Sequence, residues 1–231
     1  VTSANSQGRV LSDINLTIND KTGEVISVAA NNIVVDRNHT GTTANSQIAG
    51  LVASYKALAT PIANRVIGEI TAAMSHNAAS AAGEVALGDV IADAQLAATA
   101  PAGQGDAVAA FMNPGGIRSP GFTFASSAVG EGDGMVTYGE AFTVQPFGNS
   151  LMTLSLSGEQ IHAMLEQQFT GCTAGTAPAS WNYPAGDTGQ SFNRILQVSA
   201  GFTYAWSASG PACDKVDPQS IRINGLMVVA G

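Results

Sequence analysis

The sequence has 231 residues, of which 45% are apolar and 11% charged, so it predicts a folded core and excludes the composition of a disordered chain. Nine basic residues against 17 acidic ones give a net charge of −8, and the basic residues are scattered, which argues against a nucleic-acid polymer as partner. No apolar run reaches the roughly 18 uninterrupted residues that a membrane span needs. The composition therefore indicates a globular domain.

The first 62 residues predict a β-hairpin followed by one helix. Apolar and polar residues alternate through 9–36 on both sides of Asp-Lys-Thr-Gly at 20–23, which is typical of a turn between two strands. From Ile48 onward, apolar residues recur with the spacing of an amphipathic helix that ends near Pro61. We interpret residues 1–62 as an appendage or linker.

Residues 63–231 predict a domain of mixed strands and helices, of the α+β class. Helices are expected over 84–99 and, from a capping box formed by Ser157 and Gln160, through Phe169. The Gly/Thr/Pro-rich stretch 170–193 predicts a loop. Strands are expected at 63–74, 107–112, 135–144, 151–156, 195–206 and 220–229.

Two cysteines, Cys172 and Cys213, flank a polar stretch rich in small residues. Their number, with the acidic and lysine-poor composition, fits an exported protein with one disulfide. Two buried free thiols remain the alternative, because free cysteine is commonly buried.

The histidines and carboxylates do not predict a metal site in this chain. His39, His76 and His162 are far apart in sequence and belong to no metal-binding motif, whereas a two-metal hydrolase needs several converging ligands. Asp89 and Asp93 share one face of a predicted helix, where acidic residues ordinarily complement the helix dipole at the surface. We therefore expect no cofactor to be bound by this chain.

One loop, residues 113–118 with the sequence Asn-Pro-Gly-Gly-Ile-Arg, is here called the glycine loop. It combines the Asn113 amide, Gly115 and Gly116, which can adopt positive φ, and the Arg118 guanidinium. Such a loop can present backbone N–H groups and a planar set of donors to a polar or anionic ligand. The alternative is an ordinary turn with a solvated arginine, because Pro-Gly pairs are common in turns.

A second loop, residues 146–149 with the sequence Pro-Phe-Gly-Asn, is here called the phenylalanine loop. It places Phe147 between a rigid and a flexible residue, with the Asn149 amide two positions later. An exposed Phe147 could stack on a ring. A core phenylalanine next to a turn fits the sequence equally well, because aromatic side chains usually bury.

Five segments in chain order, including both loops, together resemble one family. They are 84–93, 113–118, 138–142 with 146–149, 156–166, and 196–199. These segments are similar to the C-terminal domain of the 5′-nucleotidase and UDP-sugar hydrolase family. The resemblance covers 63–231 and implies that fold, while residues 1–62 resemble the tail of a preceding catalytic domain and its connector helix.

The resemblance implies a role in substrate binding. In the family, the C-terminal domain binds the nucleoside part of the substrate, and an N-terminal metallophosphoesterase domain holds two divalent metals and performs hydrolysis. Asn113 and Arg118, at the two ends of the glycine loop, match substrate-binding residues. Phe147 matches one of two aromatics that sandwich the base, and Asn149 matches a base-contacting asparagine.

The sequence also departs from the family pattern. Ala81 stands where the family often has an arginine, so one anion contact is missing or supplied elsewhere. The motif that carries the second base-stacking aromatic lies beyond the last strand, and the chain stops at Gly231 before reaching it. Nothing resembles the metal motifs of the catalytic domain. We interpret the chain as a fragment, truncated at its C-terminal end.

We therefore expect the nucleoside-binding domain of an exported, metal-dependent 5′-nucleotidase-like phosphoric ester hydrolase of nucleotide catabolism, located outside the cell, at its surface or in the periplasm. Its partners would be a nucleotide and the metallophosphoesterase domain, and the fragment alone is not expected to be an enzyme. The alternative is a non-catalytic secreted binding or adhesion module on the same scaffold, for which Ala81 is the best support.

Overall fold

The computed structural model places the chain in two compact units, Val1–Ala57 and Leu58–Gly231. The helix α1, Ser46–Ala63, contains the point of division. None of the helices in the described residues combines the length and apolar composition needed to cross a bilayer. The structure describes residues 4–5, 8–36, 45–77, 79–126, 131–181 and 195–228.

The first unit contains the predicted hairpin, which is confirmed: β1 (Val10–Ile18) pairs antiparallel with β2 (Val25–Val34). Cross-strand neighbours such as Leu16 and Val28 give the hairpin one apolar face, and both side chains are exposed. A two-stranded hairpin is marginally stable alone in water, so packing of this apolar face against another surface would stabilise it. The predicted helix is also confirmed, and α1 continues two residues past Pro61.

The second unit combines helices with short antiparallel strands, as the predicted α+β class requires. Among the described residues, the strand ladders are β3 with β7, β4 with β6, β5 with β8, and a three-stranded sheet in the order β11, β10, β9. The element bounds are β3 Val66–Glu69, β4 Met74–Ser75, α2 Ala86–Thr99, β5 Phe111–Met112, β6 Gly121–Phe122, β7 Met135–Thr137, α3 Tyr138–Val144, α4 Gly158–Gln167, β8 Gln197–Val198, β9 Phe202–Trp206, β10 Val216–Ile223 and β11 Leu226–Met227.

Two strand predictions are wrong. Of the predicted strand at 135–144, only β7 is extended, and α3 follows because Thr137 and Glu140 form a capping box. The Thr137 hydroxyl accepts from the Glu140 amide at 3.3 Å, and the Glu140 carboxylate accepts from the Thr137 amide at 2.9 Å. Residues 151–156 form no ladder with any described segment and are exposed. Without a neighbouring strand, their β-type pattern has no backbone partners to complete.

The other predicted elements are present with altered bounds. The strand predicted at 63–74 is two short strands, β3 and β4, and that at 107–112 shortens to β5. Gly201, at φ +87°, breaks the strand predicted at 195–206 into β8 and β9. The strand predicted at 220–229 begins earlier as β10 and turns back into β11, with position 229 outside the described residues. Both predicted helices of this unit are confirmed as α2 and α4.

The predicted loop 170–193 is described only up to residue 181, and that part contains one 3₁₀ turn, Ala179–Trp181. Its first cysteine is confirmed in a disulfide, because Cys172 is bonded to Cys213 across 41 positions of sequence. The alternative of two free thiols is therefore not what the structure contains.

Two buried apolar clusters form the core of the second unit. One lies between α4, β8, β9 and β10 and contains Leu165, Phe169, Ile195, Val198, Phe202, Val216 and Ile221. The other lies around α2 and contains Val85, Leu87, Ala92, Met112, Ile117 and Val144. In this second cluster, Ile117 belongs to the glycine loop and Val144 ends α3, so the cluster supports the loops that follow.

Close packing of α2 depends on Gly88. A Cβ built on Gly88 would lie 2.9 Å from Ile117 Cδ1 and 2.8 Å from Gln197 Cβ, which is too close for carbon atoms. Gln197 cannot retreat easily, because it is fully buried and its amide nitrogen donates to the Ile195 carbonyl at 2.7 Å. The missing side chain therefore allows α2 to approach the segment that carries the glycine loop.

Glu166 joins α4 to the start of β10. Its fully buried carboxylate accepts hydrogen bonds at Oε1 from the backbone amides of Lys215 (2.7 Å) and Val216 (2.6 Å). One helical turn earlier, His162 Nε2 lies 3.7 Å from the same oxygen and 3.1 Å from the Val216 carbonyl oxygen. The His162 ring also packs edge-on against Trp181.

Candidate functional site

The structure brings the glycine loop and the phenylalanine loop together. The Arg118 guanidinium carbon lies 4.9 Å from the centroid of the Phe147 ring, within the range of a cation–π contact. Phe147 is 43% exposed, so it is not the core phenylalanine that its sequence also allowed. An aromatic face and a guanidinium thus share one solvent-accessible surface.

Both loops extend from the buried cluster around α2. Ile117 and Val144 are buried in that cluster, and the next residue in each case, Arg118 or Gln145, lies at its edge. The Arg118 amide donates to the Val144 carbonyl at 3.0 Å, which joins the two segments through their backbones. The contact between Arg118 and Phe147 therefore rests on core residues rather than on free loops.

The glycine loop is a single 3₁₀ turn, Pro114–Gly116, that begins after Asn113. Neither Gly115 nor Gly116 takes the positive φ that the sequence allowed. Their use is steric: a Cβ on Gly115 would lie 3.3 Å from the Asn113 amide nitrogen, and one on Gly116 would collide with the Met112 methyl group and lie 3.3 Å from the Asn113 amide oxygen. Gly115 leaves room for the Asn113 side chain over the turn, and Gly116 leaves room for both Asn113 and Met112.

The four side chains predicted to bind substrate lie on the two loops, and all are exposed. Arg118 and Phe147 are in contact, whereas Asn113 lies over its own turn and Asn149 lies two residues after Phe147. Sequence reasoning missed Gln145, whose side-chain amide reaches the glycine loop. The available signal was a single polar residue between the apolar segment predicted as a strand at 135–144 and Pro146.

Two carboxylates of α2, Asp89 near its start and Asp93 in its middle, make contacts that the sequence did not indicate. Asp89 is partly buried, and this burial raises its pKa to about 6. The negative charges of Glu84 and Asp93 also raise the pKa, while a hydrogen bond from the Val198 backbone lowers it in part. Asp93 accepts a hydrogen bond from the Ala200 amide at 2.6 Å. Asp89 thus contacts the end of β8 and is half-buried, which corrects its interpretation as a surface group, whereas Asp93 is exposed as expected and also bonds to the β8–β9 connection.

Metal ligands do not converge in the part of the chain that the structure describes. Within those residues, no group of three or more His, Cys, Asp or Glu side chains is arranged to hold an ion. His76 and His162 lie there, whereas His39 is outside the described residues.

Comparison with known proteins places this arrangement in a family. Residues 66–230 match the family model described as "5'-nucleotidase, C-terminal domain". The chain belongs to this family. The match includes both loops, the buried cluster beneath them and the disulfide.

Three similar proteins show how much of a longer chain this 5′-nucleotidase C-terminal domain represents. Endonuclease YhcR of Bacillus subtilis is 26% identical over 234 residues, which cover 96% of this chain and 16% of YhcR. Cell wall protein Lmo0130 of Listeria monocytogenes is 29% identical over 170 residues, covering 71% of this chain and 21% of Lmo0130. The crystal structure of a 5′-nucleotidase precursor from Thermus thermophilus superposes with a TM-score of 0.50 and 26% identity, covering 90% of this chain and 35% of that chain. The chain thus spans about a fifth of the curated relatives or less.

Proposed function

We propose that this chain is the nucleoside-binding domain of an exported, metal-dependent 5′-nucleotidase-like phosphoric ester hydrolase that acts in nucleotide catabolism. The observation that carries the proposal is the exposed contact between Arg118 and Phe147. The family of the domain supports it, because the family model carries the name of the 5′-nucleotidases.

The two side chains offer complementary chemistry to a nucleotide. The Phe147 ring presents a stacking face for the base, and because Arg118 lies over one face, the base stacks on the other. Guanidinium donors lie in the plane of the group, so a guanidinium stacked on a ring can still hydrogen-bond to an anion or polar group. Asn113 and Asn149 add amides to the same two loops.

The strength of these contacts limits the affinity. Stacking on an aromatic side chain contributes about 1–3 kcal/mol per base, and a hydrogen bond to a charged group about 1.5–3 kcal/mol. After the entropy of association is subtracted, millimolar binding at best remains. Tight binding would need further contacts outside this chain.

We assign hydrolysis to a metallophosphoesterase domain outside this chain, where two divalent metals would supply an activated water for attack on phosphorus. The residues of this chain bind and orient the substrate. The exposed apolar face of the hairpin, which includes Ile14, Leu16 and Val28, supports a neighbouring domain because it needs a cover. The much greater length of the relatives agrees with such an arrangement.

Export is part of the same proposal. The Cys172–Cys213 disulfide supports it, because disulfides persist in oxidising compartments. The names of two similar proteins, a cell wall protein and a 5′-nucleotidase precursor, point the same way.

A second candidate is a non-catalytic secreted binding or adhesion module on this scaffold. It is favoured by Ala81, which is exposed where the family often has an arginine, and by the similarity to a cell wall protein. The gene sequence upstream of Val1 separates the candidates, since a metallophosphoesterase domain there supports the hydrolase and its absence supports the module.

A titration of the isotope-labelled chain with AMP and with ribose 5-phosphate, followed by NMR, tests the nucleoside site. Phe147→Ala should raise the dissociation constant for AMP by about 5-fold or more and leave that for ribose 5-phosphate unchanged, because only AMP has a base to stack. Phe124→Ala is the matched control, since Phe124 is 41% exposed against 43% for Phe147. Equal AMP affinities of the Phe147→Ala and wild-type chains would contradict the proposal, as would an absence of AMP binding.

Steady-state kinetics of the full-length parent enzyme give a second test of the same substitution. There, Phe147→Ala should raise KM for nucleotides far more than KM for a phosphate ester without a base, because the phosphate is bound at the metals. A variant that treats both substrates alike would remove Phe147 from the nucleoside site.

A further inference from the structure

Gln145 joins the two loops that carry the proposed nucleoside site. Its side-chain Nε2 donates a hydrogen bond to the Gly116 carbonyl oxygen at 2.6 Å, across 29 positions of sequence. Its backbone amide donates to the Ala141 carbonyl at 2.9 Å and closes the last turn of α3. One residue thus ends the helix, precedes the phenylalanine loop and holds the glycine loop.

A second hydrogen bond fixes the relative orientation of the two segments. The Arg118 amide donates to the Val144 carbonyl at 3.0 Å, so Gly116 and Arg118 are bonded to adjacent residues of the other segment. Two bonds at adjacent positions fix both the separation and the relative rotation of two segments, whereas one bond would leave a pivot. Between the bonded residues, Ile117 is buried in the core and prevents the glycine loop from sliding.

The contact between Arg118 and Phe147 lies directly beyond these two bonds. A cation–π contact at an exposed position is weak and cannot by itself order two loops. The hydrogen bond from Gln145 to Gly116 is half-buried, and it orders the two loops where the exposed contact cannot. The Gly116 carbonyl oxygen needs a hydrogen-bond donor, and the side-chain amide of Gln145 supplies one. An ionised glutamate at the same position would have no proton to donate.

We infer that Gln145 is a positioning residue, whose hydrogen bond to Gly116 holds Arg118 over Phe147 in the geometry that receives the nucleoside. The ligand in this inference rests on the proposed function. The positioning of Arg118 by Gln145 is independent of any ligand.

Gln145→Leu tests the inference, because leucine has a similar volume and cannot donate. The first measurement is the Arg118 side-chain Nε–H proton by NMR, which the Phe147 ring current shifts upfield when the guanidinium lies over the ring. In Gln145→Leu this shift should disappear, and the dissociation constant for AMP should rise about 2- to 10-fold, the loss expected for one hydrogen bond. Gln104→Leu, at an exposed glutamine of the turn after α2, should change neither measurement.

The outcomes separate the inference from the proposed function. If Gln145→Leu keeps both the wild-type Arg118 shift and the wild-type AMP affinity, the positioning role is wrong and the nucleoside site stands. If the wild-type chain does not bind AMP but the Arg118 shift is present and is lost in Gln145→Leu, the positioning role stands and the nucleoside site is wrong. If the variant loses AMP affinity with an unchanged Arg118 shift, Gln145 acts in another way and the inference is wrong.

A measurement on the wild-type chain covers the case in which Gln145→Leu does not fold. The two side-chain amide protons of Gln145 should be well separated in chemical shift and slow to exchange with water, because one of them is bonded to Gly116. Shifts and exchange rates equal to those of a free glutamine side chain would show that the bond does not form, and would overturn the inference.

Discussion

Replacing Glu166 by alanine should destabilise the second unit strongly, because this carboxylate holds two backbone amides in a place that water does not reach. The amides of Lys215 and Val216 both donate to Oε1, and the residue has no exposed surface. Each buried donor left without a partner costs about 1–3 kcal/mol. Two such donors together cost about 2–6 kcal/mol.

The buried Glu166 carboxylate itself carries a desolvation cost in the native protein, and this cost lowers the destabilisation expected for Glu166→Ala within that range. Oε2 of Glu166 is buried, and no described group lies within hydrogen-bond distance of it. Removing this atom returns part of the desolvation free energy, so we expect about 3 kcal/mol for Glu166→Ala. Glu166→Gln keeps an acceptor oxygen for the two amides and should cost about 1–2 kcal/mol. For a domain of ordinary stability, the alanine variant loses a large fraction of the total.

Urea denaturation followed by tryptophan fluorescence measures these differences, because Trp206 packs against Phe169 beside the same cluster. Glu159→Ala is the control, since its carboxylate accepts a hydrogen bond from the Ser180 hydroxyl at an exposed position and the loss of that bond should cost less than about 1 kcal/mol. The reasoning is refuted if Glu166→Ala unfolds within about 1 kcal/mol of the wild-type chain. It is equally refuted if the glutamine and alanine variants are equally destabilised.

Three further predictions concern pH, packing and the disulfide. The Glu166 carboxylate, 3.7 Å from Nε2, raises the pKa of His162 above its ordinary value of 6.5. The stability contributed by the imidazolium is therefore complete below pH 6.5 and is lost as the pH rises through the raised pKa. The free energy of unfolding should fall in that interval for the wild-type chain and not for His162→Gln, and equal slopes would contradict this. Burial raises the pKa of Asp89 to about 6, but Asp89 is present in both chains, so its contribution cancels when the wild-type chain is compared with His162→Gln. Gly88→Ala should lower the free energy of unfolding by about 1–2 kcal/mol, since the added carbon overpacks the core by more than the gain in helix propensity, and a more stable variant would show that the helix can shift. Reduction of the Cys172–Cys213 bond should cost up to about 4 kcal/mol by the chain-entropy model, measured by denaturation with and without reductant, and two alkylated thiols in the oxidised protein by mass would disprove the bond.

The sequence was sufficient where the signal is local. The hairpin turn and the capping box at Ser157 depend on residues within a few positions of each other, and both are present as predicted. The box formed by Thr137 and Glu140 has the same local pattern and could have been predicted, but the apolar residues around it favoured a strand. The strand predicted at 151–156 failed for a different reason, since a ladder needs a partner that no local pattern reveals.

The candidate site also combines features that the sequence could predict with features that it could not. The residue types of the glycine and phenylalanine loops, and their resemblance to the family, made Arg118 and Phe147 candidates, and the structure brings these two side chains into contact. The bond from Gln145 to Gly116 joins residues 29 positions apart, and it depends on how α3 packs on the buried cluster. The sequence misled at Asp89 because this carboxylate is half-buried and bonds to the backbone of Val198, a residue of β8 that is far away in sequence and absent from a helical wheel.

The alternation of buried and exposed residues at the site has a consequence for how such a domain can change during evolution. Ile117 is followed by Arg118, and Val144 by Gln145, so each buried residue is adjacent to one that belongs to the proposed nucleoside site or holds its loops. Exchanges at the outer position alter what is recognised while the inner residue continues to hold the backbone in place. Recognition can therefore diverge among descendants of one scaffold with little loss of stability, whereas a change at either inner residue would disturb both properties at once.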